Sequence, residues 1–154
     1  MRQLLSAVAL FAMAGTLFAA DPFEGTWKLN SKKTKFTQGA SPREETVVIE
    51  RQGDDYVITI TGADHAGTPI SIKYSAPMNG GEGKIINGPY DAISTKRIDP
   101  NTRETRYMQG GKEVRSSHGV AAKDGKSLRV TVKATDTDGK PIAGTIVLDK
   151  QPGT

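Results

Sequence analysis

Two histidines, His65 and His118, are the side chains whose ordinary pKa suits proton transfer or metal ligation near neutral pH. A zinc site needs about four converging nitrogen, sulfur or oxygen ligands, and neither histidine stands in a ligand-spaced cluster. Ser116-Ser117-His118 sets a nucleophile type beside a base type, but adjacent residues of a strand point to opposite faces. Ser116 and His118 do share a face, yet no nucleophile elbow or oxyanion loop accompanies them. Asn79-Gly80-Gly81-Glu82-Gly83 is rich in glycine, but it lacks the following helix and the Lys-Ser/Thr pair of a P-loop. The acidic residues show no paired spacing of the glycosidase or calcium-loop kind. The expectation is a non-catalytic chain with no metal and no cofactor.

Binding chemistry is better supplied. Tyr56, Tyr74, Arg97, Tyr107, Arg115 and His118 carry hydroxyl, guanidinium and imidazole groups on runs that alternate like strands, and they are the candidate contacts for a small ligand held inside a sheet. Tyr90 and Arg106 are of the same type, but Arg106 and Tyr107 are neighbours and only one can point inward. The formal charge is +4, and the basic residues alternate with acidic ones. A nucleic-acid binder would gather Lys and Arg on one face with aromatics between them. The local basic run, Lys32-Lys33-Thr34-Lys35, reads as a solvated loop.

Residues 1–20 have the parts of an export signal: Arg2, an apolar run from Leu4 to Phe18, and Ala19 and Ala20 at the exit. That run is shorter than the roughly 20 residues a membrane-spanning helix needs. The expected domains are thus a leader over 1–20 and one folded unit over 21–154, periplasmic or secreted and monomeric, with no membrane segment after the leader is removed. The chain has no cysteine. It therefore has neither disulfides nor a site for lipid attachment, and stability must come from burial and sheet pairing.

The elements that would position the candidates are all strands. Tyr56 to Gly62 alternates Tyr56, Ile58 and Ile60 against Val57, Thr59 and Thr61, and Pro69 to Ala76 sets Ile70, Ile72 and Tyr74 against Ser71, Lys73 and Ser75. This period of two in β-branched residues argues strand. Further strands are expected at Thr26–Asn30, Glu44–Gln52, Lys84–Ile86, Asp91–Ile98, Arg103–Gln109, Lys112–Ala122 and Ser127–Thr135, with a last one after Lys140. Ser31 to Arg43 reads as a surface loop. Asp-Gly at 124–125 and 138–139, flanked by alternating runs, signals two successive hairpins. Asp64 to Ile70 and Asp136 to Ile142 share Asp, Gly, Pro and Ile at one spacing, which reads as the same turn chemistry used twice. Nine or ten antiparallel strands in a meander expose two edges unless the sheet closes on itself. The expected fold is an up-and-down β-barrel, with an open β-sandwich as the alternative.

Gly25-Thr26-Trp27, at the start of the first strand, resembles the Gly-x-Trp signature of the calycin group: lipocalins, fatty-acid-binding proteins and avidins. The resemblance implies that Gly25 and Trp27 plug the closed end of a barrel, with a basic side chain of a late strand lying on the indole; Lys150, Arg129 and Lys133 are the candidates. It does not extend to the helical lid of fatty-acid-binding proteins, because Ser31 to Arg43 is too short and too rich in Gly, Pro and Lys for two helices. The chain is also similar to a group of small exported bacterial lipocalin-like proteins. That similarity is carried by Gly25 to Asn30, Lys96 to Asp99, Lys123 to Leu128 and Thr135 to Ile142.

The expected function is a non-catalytic, exported barrel that holds a small apolar or amphipathic ligand in its interior. Two rivals stand beside it. A filled barrel would serve as a structural or protein-interaction module, and a haem-binding barrel like the nitrobindins would use His118 as the iron ligand.

Overall fold

The computed structural model describes residues 20–153, so the leader expected over 1–20 lies outside the described residues except for Ala20. Twelve strands form one sheet: β1 (Gly25–Leu29), β2 (Lys35–Phe36), β3 (Glu44–Gln52), β4 (Asp55–Ala63), β5 (Pro69–Pro77), β6 (Gly80–Glu82), β7 (Lys84–Asn87), β8 (Ala92–Asp99), β9 (Thr102–Gln109), β10 (Lys112–Ala121), β11 (Ser127–Thr135) and β12 (Pro141–Lys150). A single 3-10 turn, Thr37–Gly39, interrupts the loop after β2. Among the described residues no helix is long and apolar enough to cross a membrane.

The spatial order is β6-β8-β9-β10-β11-β12-β1-β3-β4-β5-β7, every neighbour antiparallel, with β2 pairing β12 beyond the end of β1. The sheet rolls into a nearly closed barrel, and the expected up-and-down meander is what forms. The strand pattern explains why. Inward positions such as Val47, Ile49, Ile58, Ile60, Ile72, Leu128 and Leu148 are buried, while most residues that alternate with them, Val57 and Val147 apart, are partly or fully exposed, so one face of each strand must be covered by the others.

The two edges of the meander are sewn together by one short stretch. Gly80 to Glu82 pairs with β8, Lys84 to Asn87 pairs with β5, and between them the Gly83 amide donates to the Ile93 carbonyl at 2.9 Å. The sequence shows no strand pattern at Gly80–Glu82, because glycine is a poor strand former. Here it is required by contact: a Cβ on Gly80 would lie 3.0–3.2 Å from the β8 backbone, and one on Gly83 would lie 2.4 Å from the Ser75 carbonyl oxygen. β2 is likewise invisible in its Lys- and Gly-rich loop. It exists because Phe36 lays its ring on Gly144 of β12, where any side chain would clash.

The repeated Asp-to-Ile segments are the same turn. Asp64 Oδ1 accepts the amides of Ala66 and Thr68, and Asp136 Oδ1 accepts those of Asp138 and Lys140, all at 2.8–2.9 Å. Both turns lie at one end of the barrel, with the 30–43 loop. The segment Asp21–Glu24 lies at the other, with the turns after β3, β5, β8 and β10.

Trp27 is completely buried, and its indole Nε1–H donates to the Phe23 carbonyl at 2.9 Å. The register places Lys150 directly opposite Trp27, and the ammonium sits 5.3 Å from the ring centroid. Of the three basic candidates only Lys150 meets the indole; Arg129 and Lys133 alternate outward on β11. The spacing of the Gly-x-Trp motif follows from this contact. The lysine stem crosses Gly25 on its way to the ring, and a Cβ there would fall 2.8 Å from Lys150 Cε.

Replacing Trp27 by alanine is expected to lower stability by about 3–5 kcal/mol on the scale of core truncations. Replacing the exposed Lys150 by alanine should lower it by about 0.5–1 kcal/mol, the worth of an exposed cation–π contact. Urea denaturation of both variants checks the order; a Lys150 variant as damaged as the Trp27 variant would contradict it.

Candidate ligand cavity

A cavity of about 90 Å³ lies inside the barrel. Its walls differ in chemistry because they come from different strands. β3, β4, β11 and β12 supply aliphatic groups from Val47, Ile49, Ile58, Ile60, Leu128, Val130 and Leu148, whereas β9 and β10 supply Arg103, Thr105, Tyr107, Arg115 and Ser117. The interior is therefore amphipathic across its width. It also carries one arginine towards each end, and the two have opposite surroundings.

Arg103 stands at the Asp21 end and is buried. Its Nη1 donates to the Met78 carbonyl, and its Nη2 donates to Pro77 O at 3.1 Å and Thr95 Oγ1 at 3.3 Å. The guanidinium also lies 4.9 Å from the centroid of Tyr56 and 6.0 Å from that of Phe23. Burial pulls its pKa below the usual arginine value, but these contacts satisfy the group. Tyr56 in turn donates its hydroxyl to Asp21 Oδ2 at 2.5 Å, while Asp21 Oδ1 accepts the Phe23 amide at 2.9 Å. Asp21 thus fastens Phe23 as the stopper of this end.

Arg115 stands towards the other end. Its guanidinium lies 5.5 Å from the Tyr107 centroid and faces Tyr90 and Glu45. Its Nε is the one buried side-chain nitrogen or oxygen without a hydrogen-bond partner among the described residues. An unsatisfied buried donor of this kind costs about 1–3 kcal/mol. Glu45, buried on the inward face of β3, lines the same cavity. Burial raises its carboxyl pKa, with Arg115 pulling the other way. No direct ion pair joins the two: those among the described residues are Arg106–Glu113 and His118–Glu104.

The tyrosines complete the polar side. Tyr74 and Tyr107 hydroxyls are 3.4 Å apart, their rings edge to face with centroids at 5.9 Å. Burial raises the pKa of Tyr56, Tyr74 and Tyr90; the hydrogen bond to Asp21 adds to the effect at Tyr56 and the neighbouring Tyr107 adds to it at Tyr74.

Of the candidate contacts, Tyr56, Tyr74, Tyr107 and Arg115 line the cavity together. Two do not. Arg97 turns to the rim at the Asp21 end, donating to Met78 O at 3.4 Å and Pro100 O at 3.3 Å, so it supports the turn and not the cavity. His118 is a correction: it is half-exposed on the outer face, with Nδ1 3.3 Å from Glu104 Oε1, and cannot ligate a haem held inside. The inward residues of β10 are Arg115, Ser117 and Gly119, and the parity of the strand sends Ser116 and His118 outward. Glu45, Arg103 and Phe23 line the cavity too, though none is among the candidate contacts. The signal was parity: Glu45 shares a face with Val47 and Ile49, and Arg103 with Tyr107. Among the described residues no group of three or more His, Asp or Glu converges as a metal site.

No protein-family model matches the chain, and no curated protein matches it. Among solved structures it is similar to a de novo designed fluorescence-activating β-barrel, at 19% identity and a TM-score of 0.40 over 86% of this chain and 96% of that one. It is also similar to a redesigned β-barrel, mFAP1, bound to DFHBI, at 15% identity and a TM-score of 0.38 over 81% of this chain and 94% of that one. The barrel described above rests on its own strand pairing and takes nothing from these likenesses.

Two titrations follow from the buried groups. Because Tyr56, Tyr74 and Tyr90 are harder to ionise folded than unfolded, the stability they contribute is intact below the unfolded value of 10.0 and is lost as pH rises above it. Absorbance at alkaline pH should show Tyr56, Tyr74 and Tyr90 ionising only as the barrel unfolds. The raised Glu45 carboxyl has the same sign: its contribution is intact below the unfolded value of 4.5 and falls as pH rises. Between pH 4 and pH 7, Glu45→Gln should therefore gain stability relative to the parent protein; an unchanged difference would mean the carboxyl ionises freely.

Proposed function

We propose that this chain is an exported, non-catalytic barrel that binds a compact amphipathic molecule in its interior, with the polar end of the ligand at Arg115 and its apolar part against the aliphatic wall of β3, β4, β11 and β12. The observation that carries the reading is an interior cavity whose β9 and β10 wall presents Thr105, Tyr107, Arg115 and Ser117 across from an aliphatic wall. The export part of the proposal rests on Arg2, the apolar run at 4–18 and the small residues Ala19 and Ala20 after it.

Volume limits the ligand. Ligand pockets usually run to roughly 300–1,000 Å³, and an engineered cavity of about 150 Å³ takes benzene. At about 90 Å³, the interior admits a molecule of only a few heavy atoms unless side chains move. The same figure favours the second reading, a filled barrel acting as an interaction module.

Native mass spectrometry of protein taken from its source compartment separates the two. A carrier should retain a small molecule, and Val130→Phe, which fills the cavity from the β11 wall, should release it without unfolding the barrel. Protein that is empty in repeated preparations, with a thermal midpoint unmoved by small amphiphiles, would leave the filled-barrel reading standing.

A further inference from the structure

We propose that the outer face of the barrel, from β8 across to β2, is a binding surface for an acidic polysaccharide that carries a carboxylate on every second sugar. This surface lies on the solvent side of the wall, and the proposal does not rest on the reading of the interior cavity.

Strand parity and register build it. Four exposed cations stand outward as posts: Lys96 on β8, Arg106 on β9, Lys133 on β11 and Lys35 on β2. The register fills the ground between them with short hydroxyl side chains. Ser116 lies opposite both Arg106 and Lys133, Ser94 lies opposite Arg106 on its other side, and Thr145 lies opposite Lys35. Long posts over a short floor leave three shallow grooves, of about 270, 400 and 380 Å³. The first two meet at Glu104 and Arg106, and the second and third meet at Thr131 and Lys133, so together they form one band across the strands. Arg106 meets Glu113 through Nε at 3.5 Å and keeps its side chain 69% exposed, and the three lysines enter neither ion pair found among the described residues.

Charge and spacing choose the occupant. Arg106, Lys133 and Lys35 follow one another two strands apart, on the order of 10 Å. An extended sugar chain charged on alternate rings repeats its carboxylates on a comparable scale. A nucleic-acid strand carries a phosphate about every 3.4 Å and binds best where aromatic faces stack on its bases, and none of the posts or the residues between them is Phe, Tyr or Trp. Glu104 and Glu113 stand among the posts and would repel a continuous layer of anionic headgroups. Against a sugar chain they face the uncharged rings, whose hydroxyls they accept, while Ser116 can both donate and accept. One exposed post contributes a factor of only about two to five, so affinity comes from repetition along the chain.

The test titrates the protein calorimetrically with hyaluronan oligosaccharides of graded length, with neutral dextran, and with phosphatidylglycerol-containing phosphatidylcholine vesicles. Hyaluronan affinity should climb with length until the chain spans Arg106 to Lys35, on the order of 20 Å, and should weaken with salt. Dextran and vesicles should not bind. Arg106→Gln and Lys133→Gln should each weaken hyaluronan about two- to fivefold and multiply when combined, with thermal midpoints unchanged because both side chains are exposed. Lys123→Gln, in the turn after β10, should change nothing, and neither should Val130→Phe, which alters only the interior. Absence of hyaluronan binding, or dextran binding equally well, overturns the proposal. So does an equal loss from Lys123→Gln, which would mark general attraction to a basic protein. Binding to vesicles in place of hyaluronan overturns it in favour of a membrane surface.

Discussion

Closure of the sheet depends on a guanidinium placed where the two edges meet. A meander of strands has unpaired amides and carbonyls along both margins, and here the margins are bridged by only the short stretch from Gly80 to Asn87. The turn that launches this stretch, Pro77-Met78, offers its carbonyls into the interior, and Arg103 from β9 collects both while also bonding Thr95 of β8. One side chain thus ties the end of β5, the start of the bridging stretch and the β8–β9 hairpin. Aliphatic packing alone could not do this, because buried carbonyls without donors would open the seam to water.

The same residue type at the other end has the opposite character. Arg103 has acceptors on every side and aromatic faces against it, which makes it a structural cation. Arg115 sits on one aromatic face, beside a carboxyl it does not pair with, and retains an unmatched donor. Natural structures seldom leave such donors unmatched. The polarity of β9 and β10 on their inward faces is hard to account for as packing, since Val or Ile at Thr105 and Ser117 would fill the interior better. A barrel built only to be filled would have little use for it.

Much of this was legible in the chain. Alternation in β4 and β5, the Asp-Gly hairpins, and the repeated aspartate turns follow from local chemistry and appear where expected. The Gly25-to-Trp27 motif was readable as a packing device, but its cation could be chosen only once the register set Lys150 opposite Trp27. The glycine-rich β6 was hidden because its strand character comes wholly from its neighbours and not from its own residues. β10 shows the deeper limit. Its outward face carries His118 and Val120, whereas its inward face carries Arg115, Ser117 and Gly119. Hydrophobicity therefore points the wrong way, and His118 was assigned to the wrong side.

The placement of β1 has a consequence for how the chain reaches this state. β1 lies between β3 and β12, and β12 is made from the final ten residues before the tail. The wall that holds Trp27 therefore joins residues separated by nearly the whole chain, Trp27 with Lys150 and Leu29 with Leu148. Hairpins can form early from local contacts, but the loop entropy of joining the first strand to the last must be met before the core has a lid. A growing polypeptide lacking β12 has no barrel to close. The barrel is complete only when β12 pairs with β1, and until then it is an open sheet.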